Sequence, residues 1–133
     1  MARILVVDDV PVVRLVICKM LRRAGHDVQE AANGDDAMAS VKTRSPDAVV
    51  TDLWMPGSDG LSLIRALKTG FPGIAVVAMT GGSPRDSQET SLVQARDAGV
   101  AEILMKPIDK NELVIAVGQA IDSIARTKVQ ALS

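Results

Sequence analysis

Length, composition and charge limit what this chain can be. It has 133 residues, a formal net charge of −1, one cysteine and 2% aromatic residues. This length predicts one domain, and the near-neutral charge excludes the basic field that non-specific nucleic-acid binding needs. The lone Cys18 excludes a disulfide framework and is interpreted as a small buried hydrophobe in a reducing, cytoplasmic protein. The scarcity of aromatic rings argues against a stacked flat cofactor, and neither an export signal nor a membrane span is predicted.

Short apolar runs alternate with longer segments of helical spacing along the chain. In chain order, the predicted elements are a strand at Ile4–Val7, a helix at Val12–Ala24, a strand at Asp27–Ala31, a helix near Asp35–Thr43, a strand at Ala48–Thr51, a helix that Asp59-Gly60 opens and that runs to Gly70, a strand at Ala75–Ala78, a helix within Asp86–Ala98, a strand at Ala101–Leu104 and a last helix from Asp109 to Ile124. The strand runs are mostly continuously apolar, which is typical of parallel strands covered by helices on both faces. The pattern predicts an α/β fold with a doubly wound, five-stranded parallel sheet.

Local signals indicate how several of these helices pack and where they begin or end. The first helix has one apolar stripe, formed by Val13, Val16, Ile17, Met20 and Leu21. The fourth helix has few candidates for burial, namely Leu92, Val93 and Ala95. Asp109, followed three residues later by Glu112, is an acidic variant of the capping box and starts the last helix. We expect the domain to span residues 1–125 and the polar tail, residues 126–133, to fray.

Polar side chains follow four of the five predicted strands. Asp8 and Asp9 end the first strand, and Asp52, Thr80 and Lys106 follow the third, fourth and fifth. Ligands of open α/β sheets bind outside the carboxyl ends of the strands. Buried acids on neighbouring strand ends repel each other unless a cation compensates them, and oxygen ligands without His or Cys suit Mg²⁺. A carboxylate can then attack phosphorus, while the metal, a lysine ammonium and a threonine hydroxyl neutralise the phosphoryl oxygens.

Each of these residues also has an ordinary interpretation when it is taken alone. Asp8 and Asp9 fit a solvated strand end, and Thr80 or Lys106 fits an exposed polar residue. Their joint placement at successive strand ends favours a site.

Two further polar residues are not assigned to that site. Arg14 is interpreted as helix surface, although it could instead brace the acid cluster. His26, the only histidine, is interpreted as a solvent-facing turn residue with no role.

The strand-end motifs together carry a family resemblance. They are Val7-Asp8-Asp9 with Arg14, Asp52-Leu53-Trp54-Met55-Pro56-Gly57-Ser58-Asp59-Gly60, Met79-Thr80-Gly81, Ala98-Gly99-Val100 and Lys106-Pro107. Each motif is weak alone, and their order at successive strand ends makes them specific. From Ile4 to Ile124 the chain resembles a response-regulator receiver domain of two-component signalling, of the single-domain type.

The resemblance implies a flavodoxin-like (βα)5 fold with strand order 2-1-3-4-5 and a set of roles for the strand-end residues. Asp52 would accept a phosphoryl group from a sensor histidine kinase or a histidine phosphotransfer protein. A Mg²⁺ ion would be held by Asp8, Asp9, Asp52 and the backbone carbonyl of Trp54. Thr80 and Lys106 would contact the phosphoryl oxygens, and a cis bond before Pro107 would aim Lys106 into the site. A receiver of this kind is a signalling phosphoacceptor rather than a conventional enzyme, although it assists its own phosphorylation and dephosphorylation.

The sequence departs from the family at the switch position. Ile103 stands where most receivers have Tyr or Phe, so the usual rotation of an aromatic ring is absent. A glycine-rich loop begins at Gly81, and we expect phosphorylation to draw Thr80 inward and order this loop instead. Trp54 and Gly82 are expected to border the site and to affect the access of water.

Other functions remain open from the residues alone. One is an aspartyl-phosphate hydrolase of the haloacid-dehalogenase type, although Asp8-Asp9-Val10 lacks the Asp-x-Asp spacing of that nucleophile. A second is a receiver-like docking module that needs no phosphate, and a third, remote one is a flavin carrier. Because no output domain is expected after the last helix, we predict signalling to a protein target through the surface of the fourth helix, fifth strand and fifth helix, without direct DNA contact.

Overall fold

A central parallel sheet organises the chain. The computed structural model describes residues 1–55, 58–81 and 88–132, without the side chains at 54–55, 58–59, 88–92 and 128–132. The strands are β1 (Arg3–Val7), β2 (Asp27–Ala31), β3 (Ala48–Asp52), β4 (Trp54–Met55), β5 (Ser58–Asp59), β6 (Ala75–Thr80) and β7 (Glu102–Met105). Five of them pair in parallel in the order β2-β1-β3-β6-β7, while β4 and β5 form a separate antiparallel pair. Counted along the five-stranded sheet this is the order 2-1-3-4-5, so the predicted doubly wound, flavodoxin-like fold is confirmed.

Helices follow the strands of the sheet in the predicted alternation. They are α1 (Pro11–Arg23), α2 (Gly34–Thr43), α3 (Gly60–Gly70), α4 (Gln88–Ala98) and α5 (Lys110–Leu132). Pro11 starts α1, where its missing N–H needs no partner. Asn33 caps α2 by accepting a 2.8 Å hydrogen bond from the Asp36 amide, and Asp109 caps α5 by accepting a 3.0 Å bond from the Glu112 amide. The capping signals read from the sequence therefore act as predicted at Asp109.

Both faces of the sheet are buried. Because side chains alternate along a strand, Ile4 and Val6 of β1 face one apolar cluster, which includes residues of α1 and α5. Leu5 and Val7 face the other cluster, which includes residues of α2, α3 and α4. This two-sided burial explains why the strand sequences are continuously apolar. Within the described residues, no helix is long and apolar enough to cross a membrane.

Several local predictions are wrong in detail. Val16, predicted on the apolar stripe of the first helix, is 44% exposed, whereas Cys18 is buried as predicted. Val93 is 53% exposed while Ala95 is buried, because residues two positions apart on a helix cannot face the same way. The side chain of Leu92 lies outside the described part.

The end of the chain and the segment after β3 also differ from expectation. The segment predicted as a frayed tail after residue 125 continues as helix to Leu132, since residues 126–132 contain helix formers and neither Gly nor Pro. Whether it frays in solution stays a prediction. The β4–β5 pair was not predicted, because two-residue strands are too short to carry a periodic signal.

Candidate functional site

The register of the parallel strands brings the polar strand ends to one rim. Val7 of β1 is paired with Thr51 of β3, so the residues that follow, Asp8 and Asp52, lie level with each other. Asp52 is in turn level with Met79, one residue before Thr80. Thr80 is level with Met105, the residue before Lys106. Continuous pairing therefore places the predicted residues side by side, as the sequence indicated.

Three carboxylates meet at this rim. One oxygen from each of Asp8, Asp9 and Asp52 lies within 4.8 Å of the others. The residues Asp8 and Asp52 are 0% and 3% exposed, whereas Asp9 is half-buried. The Oδ1 atom of Asp8 accepts a 2.9 Å hydrogen bond from the Val10 amide, which fixes the turn that leads from β1 into α1. Asp8 and Asp9 are therefore presented from the turn between β1 and α1, and Asp52 from the end of β3.

Lys106 lies between two of these carboxylates. Its Nζ atom is 3.2 Å from Oδ2 of Asp8 and 3.3 Å from Oδ2 of Asp52. Burial by itself lowers the pKa of this ammonium, but the charges of Asp52 and Asp8 and their hydrogen bonds outweigh it, so the pKa is raised. The lysine is therefore a full cation at neutral pH and neutralises part of the acid cluster.

Gly81, Pro107 and Thr80 are the other predicted site residues near Lys106 in the sequence or the fold. A Cβ on Gly81 would lie 3.4 Å from Cδ and 3.6 Å from Cβ of Lys106, so Gly81 lies directly beside the lysine stem and an alanine there would be in van der Waals contact with it. The Lys106–Pro107 bond is cis, as the resemblance implied. Thr80, at the end of β6, is 0% exposed. The roles of Gly81, Pro107 and Thr80 in phosphoryl transfer stay predictions.

The donor set fits a hard divalent cation. All donors of the cluster are carboxylate oxygens, which Mg²⁺ prefers. Three carboxylates and one ammonium have a formal sum of two negative charges, which a divalent ion would balance. The Lys106 ammonium already shows that a cation is accommodated between Asp8 and Asp52. Trp54 lies in β4, two residues after Asp52, and the role of its carbonyl stays a prediction.

Gly60 is a positioning residue that sequence reasoning missed. A Cβ there would overlap the carbonyl oxygen of Asp52 and would lie 2.8 Å from both Cα and the carbonyl oxygen of Leu53, closer than real Cβ atoms approach. Only glycine lets the start of α3 pack against the backbone that carries Asp52. The Asp59-Gly60 pair was interpreted as a helix start, and spacing alone carries no signal of this contact.

Arg14 was wrongly interpreted as helix surface. Its side chain is 18% exposed and donates a 2.6 Å hydrogen bond from Nη1 to the backbone carbonyl of Asp8. Its Nε atom lies 3.1 Å from Oε1 of Glu30 on β2. The sequence signal for this contact was the place of Arg14 in the first turn of the helix that follows β1, from where a long side chain can reach back to the rim.

The interpretation of His26 also needs correction. The residue is half-buried, and its Nδ1 atom accepts a 3.1 Å hydrogen bond from the Ala2 amide. Burial, followed by the charge of the chain's amino terminus, lowers its pKa. His26 therefore contributes to the structure beside the start of β1 and is not a purely solvent-facing turn residue.

The switch region is only partly described. Ile103 on β7 is half-buried and packs against the apolar cluster that includes Ala95 of α4. Gly82 and the rest of the predicted loop, residues 82–87, lie outside the described residues. The expectation that this loop orders on phosphorylation therefore stays a prediction.

Comparison with known proteins identifies the family. The model of the response regulator receiver domain matches residues 4–118. PilH of Pseudomonas aeruginosa is 34% identical over 123 residues, which cover 91% of this chain and 98% of PilH. NtrC of Salmonella typhimurium, a DNA-binding transcriptional regulator, is 35% identical over 116 residues, covering 87% of this chain and 24% of NtrC.

A solved structure supports the same assignment. The receiver domain protein of Clostridium thermocellum superposes with a TM-score of 0.84 at 30% identity, covering 98% of this chain and 99% of that chain. The chain thus spans about a quarter of the length of NtrC but nearly all of this structure and of PilH. With the five-stranded fold and the strand-end acids, these matches lead to one conclusion: the chain belongs to the response regulator receiver domain family of two-component systems.

Proposed function

We propose that Asp52 accepts a phosphoryl group from the phosphohistidine of a sensor histidine kinase or a histidine phosphotransfer protein. The observation that carries the proposal is the position of Lys106, whose ammonium pairs with both Asp8 and Asp52 at the sheet rim. An ammonium beside a buried carboxylate can neutralise the oxygens of an incoming phosphoryl group while the carboxylate attacks. The two acids beside Asp52 supply the site for the cation.

The reaction transfers the phosphoryl group from the donor's histidine to Asp52. A carboxylate oxygen of Asp52 forms a bond to phosphorus, and the bond from phosphorus to the donor's imidazole nitrogen breaks with its electron pair left on that nitrogen. Lys106, already adjacent to Asp52, follows the negative charge onto the phosphoryl oxygens. The Thr80 hydroxyl donates to another of these oxygens from the end of the neighbouring strand.

The cation would be held by residues already at the rim. Asp9, Asp52 and the carbonyl of Trp54 would bind Mg²⁺, and Asp8 would act directly or through a bound water. Bound Mg²⁺ supplies further neutralisation of the phosphoryl oxygens. Because Asp8 is buried and paired with Lys106, it keeps the ammonium in place whether or not the cation is present.

Hydrolysis would release the phosphoryl group. Attack of water on phosphorus would return Asp52 to the free carboxylate and release inorganic phosphate. Asp52 is 3% exposed, so the surrounding residues restrict the approach of that water. The domain would thus hold its signal for a limited time without acting as a hydrolase on other substrates.

The signal would be read by a protein partner. α4, β7 and α5 each expose an aliphatic side chain, Val93, Met105 and Ile115 respectively. These elements are the fourth helix, fifth sheet strand and fifth helix on which the output surface was expected. We assign the target to this surface, with no DNA contact by this domain. We also propose a cytoplasmic location, which fits a sequence with one buried cysteine and no disulfide framework.

Phosphorylation with a small phosphodonor tests the acceptor. Wild type incubated with acetyl phosphate and Mg²⁺ should gain the mass of one phosphoryl group, and Asp52→Asn should gain none. Asp47→Asn is the matched control, since Asp47 precedes the other end of β3, is exposed and accepts from the Arg3 amide, a bond that asparagine can keep. It should be labelled like wild type. Equal labelling of Asp52→Asn and wild type would exclude Asp52 as the acceptor and leave the phosphate-independent docking module as the better function.

A further inference from the structure

Arg14 connects the acid rim to the edge of the sheet. Its Nη1 atom donates to the backbone carbonyl of Asp8 at 2.6 Å, and its Nε atom donates to Oε1 of Glu30 at 3.1 Å. The arginine comes from α1 and the glutamate from the edge strand β2. Since only 18% of the Arg14 side chain is exposed, the guanidinium is held in one place between the helix and the strand.

The carbonyl that Arg14 contacts belongs to the peptide group between Asp8 and Asp9. The Asp8 amide donates to the carbonyl of Ala31 at 3.2 Å, and its side chain accepts from the Val10 amide. With the Arg14 contact, the peptide groups on both sides of Asp8 are fixed. Because a peptide group is planar, the direction of the Asp8 carbonyl also sets the direction in which the chain enters Asp9. Arg14 therefore acts on the one acid of the cluster that is only half-buried.

Arg14 is shared between the Glu30 carboxylate and the Asp8 carbonyl. A guanidinium beside carboxylates readily forms paired hydrogen bonds with them, and such a pair would occupy oxygens that a metal ion needs. Glu30 instead binds the Nε–H and leaves Nη1 for the backbone carbonyl. Arg22 lies 3.8 Å from the second carboxylate oxygen of Glu30, so two cations of α1 hold this glutamate.

We propose that Arg14 and Glu30 form a brace that positions Asp9 for the divalent cation, with Glu30 keeping the guanidinium on the Asp8 carbonyl and off the metal-binding carboxylates. The inference rests on the proposed function, since it concerns the affinity of the same site. It assigns a role to a residue of β2 that lies outside the rim. Both are positioning residues, because neither is proposed to touch the cation or the phosphoryl group.

The affinity for Mg²⁺ alone tests the brace. Glu30→Gln removes the charge that holds Arg14 and should weaken Mg²⁺ binding about 3- to 10-fold, somewhat less than the usual effect of losing a direct partner of a metal ligand. The dissociation constant can be measured by calorimetry or by the fluorescence of Trp54, the single tryptophan. Asp27→Asn is the matched control, because Asp27 is also on β2 and pairs with Arg44 at 3.1 Å. Its affinity should equal that of wild type.

A double-mutant cycle separates the brace from a simple effect of charge. If Glu30 acts through Arg14, then Glu30→Gln should change the affinity little in an Arg14→Gln background. If Glu30 only attracts Mg²⁺ through space, the substitution should weaken binding equally in both backgrounds. Equal weakening would overturn the proposal.

The NMR chemical shift of the Asp9 backbone amide tests the brace without metal. This amide shares its peptide group with the carbonyl that Arg14 binds, so Glu30→Gln and Arg14→Gln should both shift it in Mg²⁺-free solution, and Asp27→Asn should not. An unshifted Asp9 resonance in Glu30→Gln would overturn the brace. A wild type that binds no Mg²⁺ would instead overturn the metal site of the proposed function, even if the Asp9 resonance responds.

Discussion

Lys106 should stabilise the fold as well as serve the site, and Lys106→Met tests this. Methionine keeps an unbranched stem beside Gly81 but removes the ammonium between Asp8 and Asp52. Both carboxylates are almost fully buried, so the substitution leaves two close negative charges without their shared cation. The folded state should therefore lose stability when no metal is present.

The size of the loss follows from the burial of the three groups. Removing one partner of a fully buried ion pair costs about 3–5 kcal/mol, whereas an exposed pair contributes about 0–1 kcal/mol. Lys106 keeps 23% of its side chain exposed, and its two partners keep 4% or less. We therefore expect the free energy of unfolding to fall by about 2 kcal/mol. Mg²⁺ should restore much of the lost stability, because the ion would replace the missing positive charge and stabilise the folded state by binding to it.

Urea unfolding with EDTA and with Mg²⁺ measures both effects. Lys19→Met is the control, since Lys19 is an exposed residue on α1, and it should change neither the stability nor the response to Mg²⁺. The reasoning is refuted if Lys106→Met is as stable as wild type in EDTA, or if Mg²⁺ stabilises it less than wild type.

Three further predictions concern residues elsewhere in the fold. Gly60→Ala should lower the free energy of unfolding by about 1–3 kcal/mol, because its Cβ would overlap the Asp52 backbone. Gly118→Ala is the control, since Gly118 lies in the exposed interior of α5 with nothing within 4 Å of a Cβ, and it should raise the free energy of unfolding by about 0.5–1 kcal/mol. Equal effects of the two substitutions in urea unfolding would contradict the steric argument. Because the pKa of His26 is lowered in the folded state, the unfolded chain binds a proton first as the pH falls through about 6.5. Between about pH 7 and pH 5 the free energy of unfolding of wild type should therefore fall more than that of His26→Gln. Parallel pH profiles of the free energy of unfolding would be inconsistent with this. Burial, assisted by the charge of Glu30, raises the pKa of Cys18 to about 11, so the thiol should resist a thiol reagent in native buffer and react on unfolding in urea, and stoichiometric labelling of the folded protein would count against it.

The parallel sheet and the acids at its rim were predictable because both follow from short sequence patterns along the strands. Continuous apolar runs mark buried parallel strands, and the carboxyl ends of parallel strands share one edge. Asp8, Asp52, Thr80 and Lys106 could therefore be grouped before any contact was known. The register between β1, β3, β6 and β7 then brings them together as expected.

The missed features depend on distances that a sequence does not contain. The need for glycine at position 60 comes from the close approach of α3 to the Asp52 carbonyl, and the role of Arg14 comes from the contact of its side chain on α1 with the Asp8 carbonyl. Glu30, to which the sequence analysis assigned no role, pairs with two arginines of α1. Such contacts are set by tertiary packing, which overrides local preference.

The central claim, that Asp52 carries the phosphoryl group, is tested most directly by locating the modification. Wild type would be incubated with acetyl phosphate and Mg²⁺ and reduced with borohydride, which converts an aspartyl phosphate to homoserine with loss of phosphate. Peptide mapping should find homoserine at position 52 and nowhere else. Homoserine at Asp8, Asp9 or another aspartate, or none at all in protein shown to be labelled, would contradict the account.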